Sequence, residues 1–144
     1  QPSSDCCFDV GKGWSMIWLF AGVILAVVSV DLITKFTCDG ILNAGIAWGL
    51  GAHLPWLWIL VVILSLVIVI AATVWYCRTP RKKSYWFTVG LALFIGGVLG
   101  NAIDRMLTGG AVHDFLNFII FKNNIADIAL IIGAIMVGGQ VAFR

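Results

Sequence analysis

Four long stretches of the chain carry almost no polar side chain. They run from about residue 14 to 34, 56 to 77, 85 to 103 and 125 to 143. Each is close to the roughly 20 apolar residues that a helix needs to cross a bilayer core, so the pattern predicts four spanning helices. The second is the most apolar, with only Ser65 and Thr73 as polar positions. The third is rich in glycine, and the fourth holds Asp127 and Gln140. Between the first and second, Asn43 and Gly45 alternate with small and aromatic residues as far as Gly49. That alternation reads as a turn or bulged strand, suited to a short hairpin at the interface. The run Phe115 to Phe121 is too short to span and reads as an interfacial or re-entrant piece. The expected fold is an all-α integral membrane protein. It has four transmembrane helices and a small β-like extracytoplasmic segment between helices one and two. Residues 1–144 form a single membrane domain, with outer loops at 35–55 and 104–124.

Composition narrows the class. Of the 144 residues, 61% are hydrophobic and only 11% charged, and the mean hydropathy is +1.03. A soluble domain carries charge on about a quarter of its residues, so a soluble enzyme is excluded. A net charge of +2 gives no footing for nucleic acid. Basic residues set the orientation. Arg78, Arg81, Lys82 and Lys83 lie in the loop between helices two and three, and Lys12 and Arg144 fall on the same side. Only Lys35, Arg105 and Lys122 fall on the other. The basic loop and both termini are therefore expected in the cytoplasm, and the other two loops outside. Trp14, Trp56, Trp75 and Trp86 mark span ends, where amphipathic rings prefer to sit. Helix one reads as an uncleaved signal anchor, because no small-x-small cleavage site follows an apolar run of suitable length.

The candidate chemistry lies in the acids, all seven of them Asp, at 5, 9, 31, 39, 104, 114 and 127. A charge in an apolar chain is costly and must be offset. Asp31 and Lys35 are spaced i,i+4 in the favourable acid-first order, either as a boundary ion pair with a snorkelling Lys or as a brace for a neighbouring site. On helix three, Gly96 and Gly100 allow close helix approach. Asn101 continues the Gly97 face and Asp104 the Gly100 face. Packing explains the glycines but not the polar residues that follow them. Val112-His113-Asp114-Phe115 sets an acid among apolar residues. Asn124 and Asp127 resemble a capping box at the start of helix four, although a cap does not need an acid at the membrane boundary.

Asp114 and Asp127 thus form an outward-facing pair suited to aspartic hydrolysis, in which two close carboxylates share one proton. The helix-four N-terminus favours charge on Asp127, which leaves the proton on Asp114. Competing chemistries fit less well. None of Ser3, Ser4, Ser15, Ser29, Ser65 and Ser84 falls in an outer loop, so a serine nucleophile is missing there. There is no HExxH, CxxC or Cys/His metal spacing, so neither metal nor cofactor is expected. A Cys38–His pair is a minor alternative. His113 reads as a local modulator of Asp114 or an interfacial side chain.

Taken together, DLITK at 31–35, NAGIAWG at 43–49, GGVLGNAIDR at 96–105, VHDF at 112–115 and NIAD at 124–127 resemble the bacterial lipoprotein signal peptidases (signal peptidase II). The resemblance implies a four-helix membrane aspartic peptidase in the bacterial cytoplasmic membrane, with its site at the outer leaflet. Its substrate is a diacylglyceryl-modified prolipoprotein, cut just before the lipidated Cys, and its partners are membrane lipids. It is expected to act as a monomer. By resemblance Asp114 and Asp127 are catalytic. Asn43, Gly45, Asn101, Arg105, Asn124 and Ala126 surround the substrate, and Asp31, Lys35 and Asp104 support the site. The chain departs from the family at several places. Leu32 stands where Gln is frequent, Trp48 where Phe is common, and Asn123 where Phe usually precedes the N-x-AD motif. His113 occupies a usually apolar position. A proton-coupled transporter or a noncatalytic membrane subunit are the other classes compatible with intramembrane acids, though a carrier needs acids nearer the bilayer centre. The orientation has a direct test: Cys38 is outside while Cys6 and Cys7 are inside, so oxidised membranes should yield no disulfide between them. Its appearance on a non-reducing gel would break the topology.

Overall fold

The computed structural model describes residues 10–45, 54, 56–78, 84–117 and 122–142. Among them are four α-helices: α1 (Val10–Thr37), α2 (Leu57–Arg78), α3 (Tyr85–Thr108) and α4 (Ile125–Ala142). All four are long and apolar enough to cross a membrane. Short strands cluster beside them: β1 (Ile41–Asn43), β2 (Val112–Asp114), β3 (Leu116–Asn117) and β4 (Lys122–Asn123).

Two boundaries differ from the hydropathy pattern. Helix α1 reaches Thr37, and α3 continues past residue 103 to Thr108. Asp104 and Arg105 therefore belong to a helix and not to an outer loop. Polarity ends an apolar run, but it does not end a helix whose polar side chains find buried partners. The stop comes from glycine. Gly109 adopts the left-handed conformation at φ 75°, and the Gly110 N–H bonds back to the Arg105 carbonyl at 2.8 Å. Gly110 lies flat against the Trp58 indole, where a Cβ would have no room.

The start of the Asn43 segment pairs with the segment that follows α3. β1 runs antiparallel to β2 with Ile41 opposite Asp114, Leu42 opposite His113 and Asn43 opposite Val112. Residues 46–49 of the expected hairpin lie outside the described residues. The Phe115 run contributes β3, whose Leu116 and Asn117 pair with Asn123 and Lys122 of β4; residues 118–121 are likewise outside the description.

Helix α3 is the centre of the bundle. More than half of its span is enclosed, whereas little of α2 is fully buried. Lipid tails are as apolar as leucine, so the hydrophobic effect does not drive helices together in a bilayer, and close packing of small residues must do so. Here the glycines of α3 supply that packing on two faces. A Cβ on Gly96 would meet Val27 of α1, and one on Gly97 would meet the Ala126 carbonyl and Leu130 of α4. Across the same interface Gly133 of α4 lies on the Phe94 and Gly90 backbone. At the opposite end from the strands, the Phe20 and Tyr76 rings stack at 4.3 Å, and Tyr76 Oη is 3.1 Å from Thr88 Oγ1. Leu91, Ala92 and Ile95 complete that core.

Gly97→Ala should lower stability by about 1–3 kcal/mol through overpacking, seen as a reduced melting temperature in detergent. Gly22→Ala, on the open side of α1, should leave melting unchanged.

Candidate active site

The ends of α1 and α3 and the start of α4, on the side of the strands, meet at a cluster of polar side chains that are almost wholly withdrawn from solvent. Asp31, Lys35, Asn101, Asp104, Arg105, Asp114 and Asn124 are all buried. Each residue assigned to the site from the sequence lies in this cluster or is bonded to it.

Its base is ionic. Lys35 Nζ lies 2.8 Å from Asp31 Oδ2 and 3.4 Å from Asp104 Oδ2, and it donates to Asn101 Oδ1 at 3.0 Å. With 4% exposure, Lys35 does not snorkel to the boundary. It is enclosed between the two acids and Asn101. The other oxygen of Asp31 accepts the Ala126 N–H at 2.8 Å. A carboxylate on α1 thus caps one of the free backbone donors that open α4. Gly100 makes this reach possible: a Cβ there would come within 2.6 Å of Asp31 Oδ2 and 3.2 Å of the Ala126 Cβ.

Asn101 and Asn124 carry the arrangement outward. With its oxygen held by Lys35, Asn101 points its amide nitrogen at Asp127 Oδ1, 2.8 Å away. Asn124 caps α4 by accepting the Asp127 N–H at 3.0 Å. Its amide nitrogen is thereby turned to Asp114 Oδ1 at 2.8 Å. Asn43 fixes the second oxygen of Asp114, donating at 3.1 Å, while its own oxygen accepts the Gly45 N–H at 3.0 Å. Asn43 can do so because alternate residues of paired strands share a face. Asn43 lies opposite Val112, so its diagonal neighbour on that face is Asp114. Asp114 and Asp127, thirteen residues apart, are thus both bonded to Asn124, one through its carboxylate and the other through its backbone N–H, and lie within electrostatic reach of each other. Arg105 stands beside them. Its Nη2 donates to the Gly45 carbonyl at 3.2 Å and its Nη1 to the Asn101 carbonyl at 3.5 Å.

The His113 side chain leaves the strand on the face opposite Asp114, because adjacent strand residues alternate, and it is partly exposed. Its ring goes to Asp104, with Nδ1 2.9 Å from Oδ1. Sequence reading also passed over Thr108, whose hydroxyl donates to the Asp104 carbonyl at 2.9 Å and lies 2.6 Å from the Ala111 carbonyl. A threonine one turn beyond Asp104 was the available signal. Among the described residues no group of His, Cys and Asp is placed to hold a metal ion.

Four spanning helices with paired carboxylates gathered at one end have the build of an integral membrane hydrolase. A family model described as "Signal peptidase (SPase) II" matches residues 12–143, and the chain belongs to that family. The lipoprotein signal peptidase of Rhodopseudomonas palustris (strain TIE-1) is 37% identical over 131 residues, covering 83% of this chain and 77% of that protein. That of Blochmanniella pennsylvanica is 37% identical over 138 residues, covering 90% and 78%. A bacterial membrane enzyme structure obtained by the in meso method at 2.3 Å resolution superposes with a TM-score of 0.78. That chain is 26% identical, and the match covers 88% of this chain and 89% of that one. The protein is thus a multi-pass bacterial membrane protease that removes signal peptides from prolipoproteins.

Lys35→Met should leave two buried carboxylates without their cation and lower unfolding stability by about 3–5 kcal/mol. Thermal unfolding of the purified variant, followed by circular dichroism, measures this.

Proposed function

We propose that Asp114 and Asp127 are the catalytic dyad of an aspartic endopeptidase. Its substrate is a diacylglyceryl-modified prolipoprotein, and the bond it cuts is the one just before the lipidated Cys. The observation that carries this reading is the amide frame: Asn124 and Asn43 hold Asp114, and Asn101 holds Asp127. Such a frame holds Asp114 on both oxygens and Asp127 on one, and leaves their shared proton to the reaction.

The ionised carboxylate takes a proton from water as the water oxygen attacks the scissile carbonyl carbon. The protonated one gives its proton to the carbonyl oxygen, which yields a neutral tetrahedral diol. The proton now on the first carboxylate passes to the leaving amine as the C–N bond breaks. Loss of a diol proton as the new carboxyl forms restores the singly protonated pair. Amide donors stand on both oxygens of Asp114. These bonds hold the Asp114 carboxylate in one orientation. Arg105, held on two backbone carbonyls, presents its remaining N–H groups and its positive charge to the substrate backbone.

The site faces the outer leaflet with both termini in the cytoplasm, as the basic loop requires, and the protein acts as a monomer. Its position at the helix ends suits a bond that lies where a lipid-anchored cysteine meets the membrane surface.

Purified protein in detergent, given a diacylglyceryl-modified prolipoprotein, should produce a mobility shift on a gel. Asp114→Asn and Asp127→Asn should each reduce cleavage by about 10³-fold or more while remaining folded. Cleavage surviving in either variant would falsify the aspartic mechanism.

A further inference from the structure

His113 lies outside the dyad, yet it makes the most complete contact in the network behind it. Both of its nitrogen donors reach the same carboxylate. The His113 backbone N–H donates to Asp104 Oδ2 at 2.7 Å, and ring Nδ1 lies 2.9 Å from Asp104 Oδ1. The Asp104 side chain is 3% exposed and the His113 side chain 29%. Any residue other than proline at this position would supply the backbone bond. Only the imidazole supplies the second. Without it, the backbone N–H and Lys35 Nζ would both hold Oδ2 and leave Oδ1 without the ring, so the carboxylate could pivot about one oxygen; the imidazole fixes the second.

That rotation matters because Asp104 leads to both members of the dyad. In one direction it grips β2 at His113, and the next residue of β2 is Asp114. In the other, Asp104 Oδ2 shares Lys35 Nζ, which holds the Asn101 oxygen and so aims the Asn101 amide at Asp127. A turn of Asp104 would move both the strand that carries one carboxylate and the donor that orients the other.

We infer that His113 is a positioning residue for the hydrolytic step, acting through Asp104 on both Asp114 and Asp127. The inference rests on the dyad reading given above. Nδ1 carries the proton in the bond to Asp104, so the requirement is for a donor at that point in space. Asparagine places an amide nitrogen there. Glutamine carries its amide one methylene further, and valine has no donor while remaining at ease in a strand.

The test is steady-state cleavage of a diacylglyceryl-modified prolipoprotein by full-length wild type, His113→Asn, His113→Gln and His113→Val, each with its melting temperature. A positional effect on chemistry lowers kcat and spares KM. Relative to wild type, kcat should fall about tenfold in the valine and glutamine variants, the scale of a slight misplacement of reacting groups. KM should change by less than about twofold, and asparagine should restore kcat to within about threefold. The glutamine variant carries the comparison should valine fail to fold. The inference is overturned if kcat is unchanged in both glutamine and valine variants, if asparagine is no better than they are, or if melting falls while kcat holds. Asp114→Asn, run alongside, separates the two levels. If it still cleaves, the dyad reading fails. If it is inactive while His113→Val matches wild type, only the role of His113 fails.

Discussion

The buried ammonium of Lys35 is the point on which the strand-bearing half of the molecule depends. It lies between the carboxylates of Asp31 on its own helix and Asp104 on α3, and it holds the Asn101 oxygen. Through the second oxygen of Asp31 the same cluster reaches the first turn of α4. Three helices are therefore fastened at one place. Burying charge is expensive, and a buried ion pair is weak evidence of stability in itself. What the cluster contributes is geometry. A side chain bonded to three partners has one place to be, and the asparagine next to it inherits that precision.

The glycine seam of α3 and this ionic cluster are one device continued along two faces. Gly97 lies on α4, and one turn later Asn101 bonds Asp127 of α4. Gly96 lies on α1, Gly100 lies on Asp31, and Asp104 meets Lys35 of α1. Each face begins with apolar close approach and ends in polar contact. Because the backbones are already close, short side chains can bridge them. Helix α2 stands apart from this logic. It meets the bundle through Tyr76 at one end and Trp58 on Gly110 at the other, with Val69 and Ala72 packed on the core between them.

Local information reached the sequence directly, and long-range information did not. The four spans were legible because a helix in lipid must bury every backbone donor internally and show apolar side chains. The Asp31–Lys35 spacing and the Asn124 cap were legible because both partners lie within one turn. The extension of α3 through Asp104 and Arg105 was not, because a hydropathy pattern cannot tell a solvated charge from one paired across helices. Nor was the pairing of β1 with β2, which joins residues about seventy positions apart and leaves three-residue strands too short for a clear period. The side of the strand taken by His113 follows from that register, so its partner was hidden for the same reason.

The same close approach bears on a feature of composition, that every acid is Asp. With Gly100 against it, Asp31 has its carboxyl carbon 3.3 Å from where a Cβ on α3 would begin. A longer acid would have to fold back or push α3 and α4 away, and the cap on Ala126 would be lost with the seam. Asp104 is held on both oxygens by donors at 2.7 and 2.9 Å from a neighbouring strand, again within the reach of one methylene. Asp114 and Asp127 are framed by asparagines whose own oxygens are already engaged, so these amides cannot shift to follow a displaced carboxylate. The exposed Asp39 is under no such constraint. Within the site, then, the short acid is what tightly packed helices admit, and the glycine seam that brings the helices together also decides which carboxylic acid can work between them.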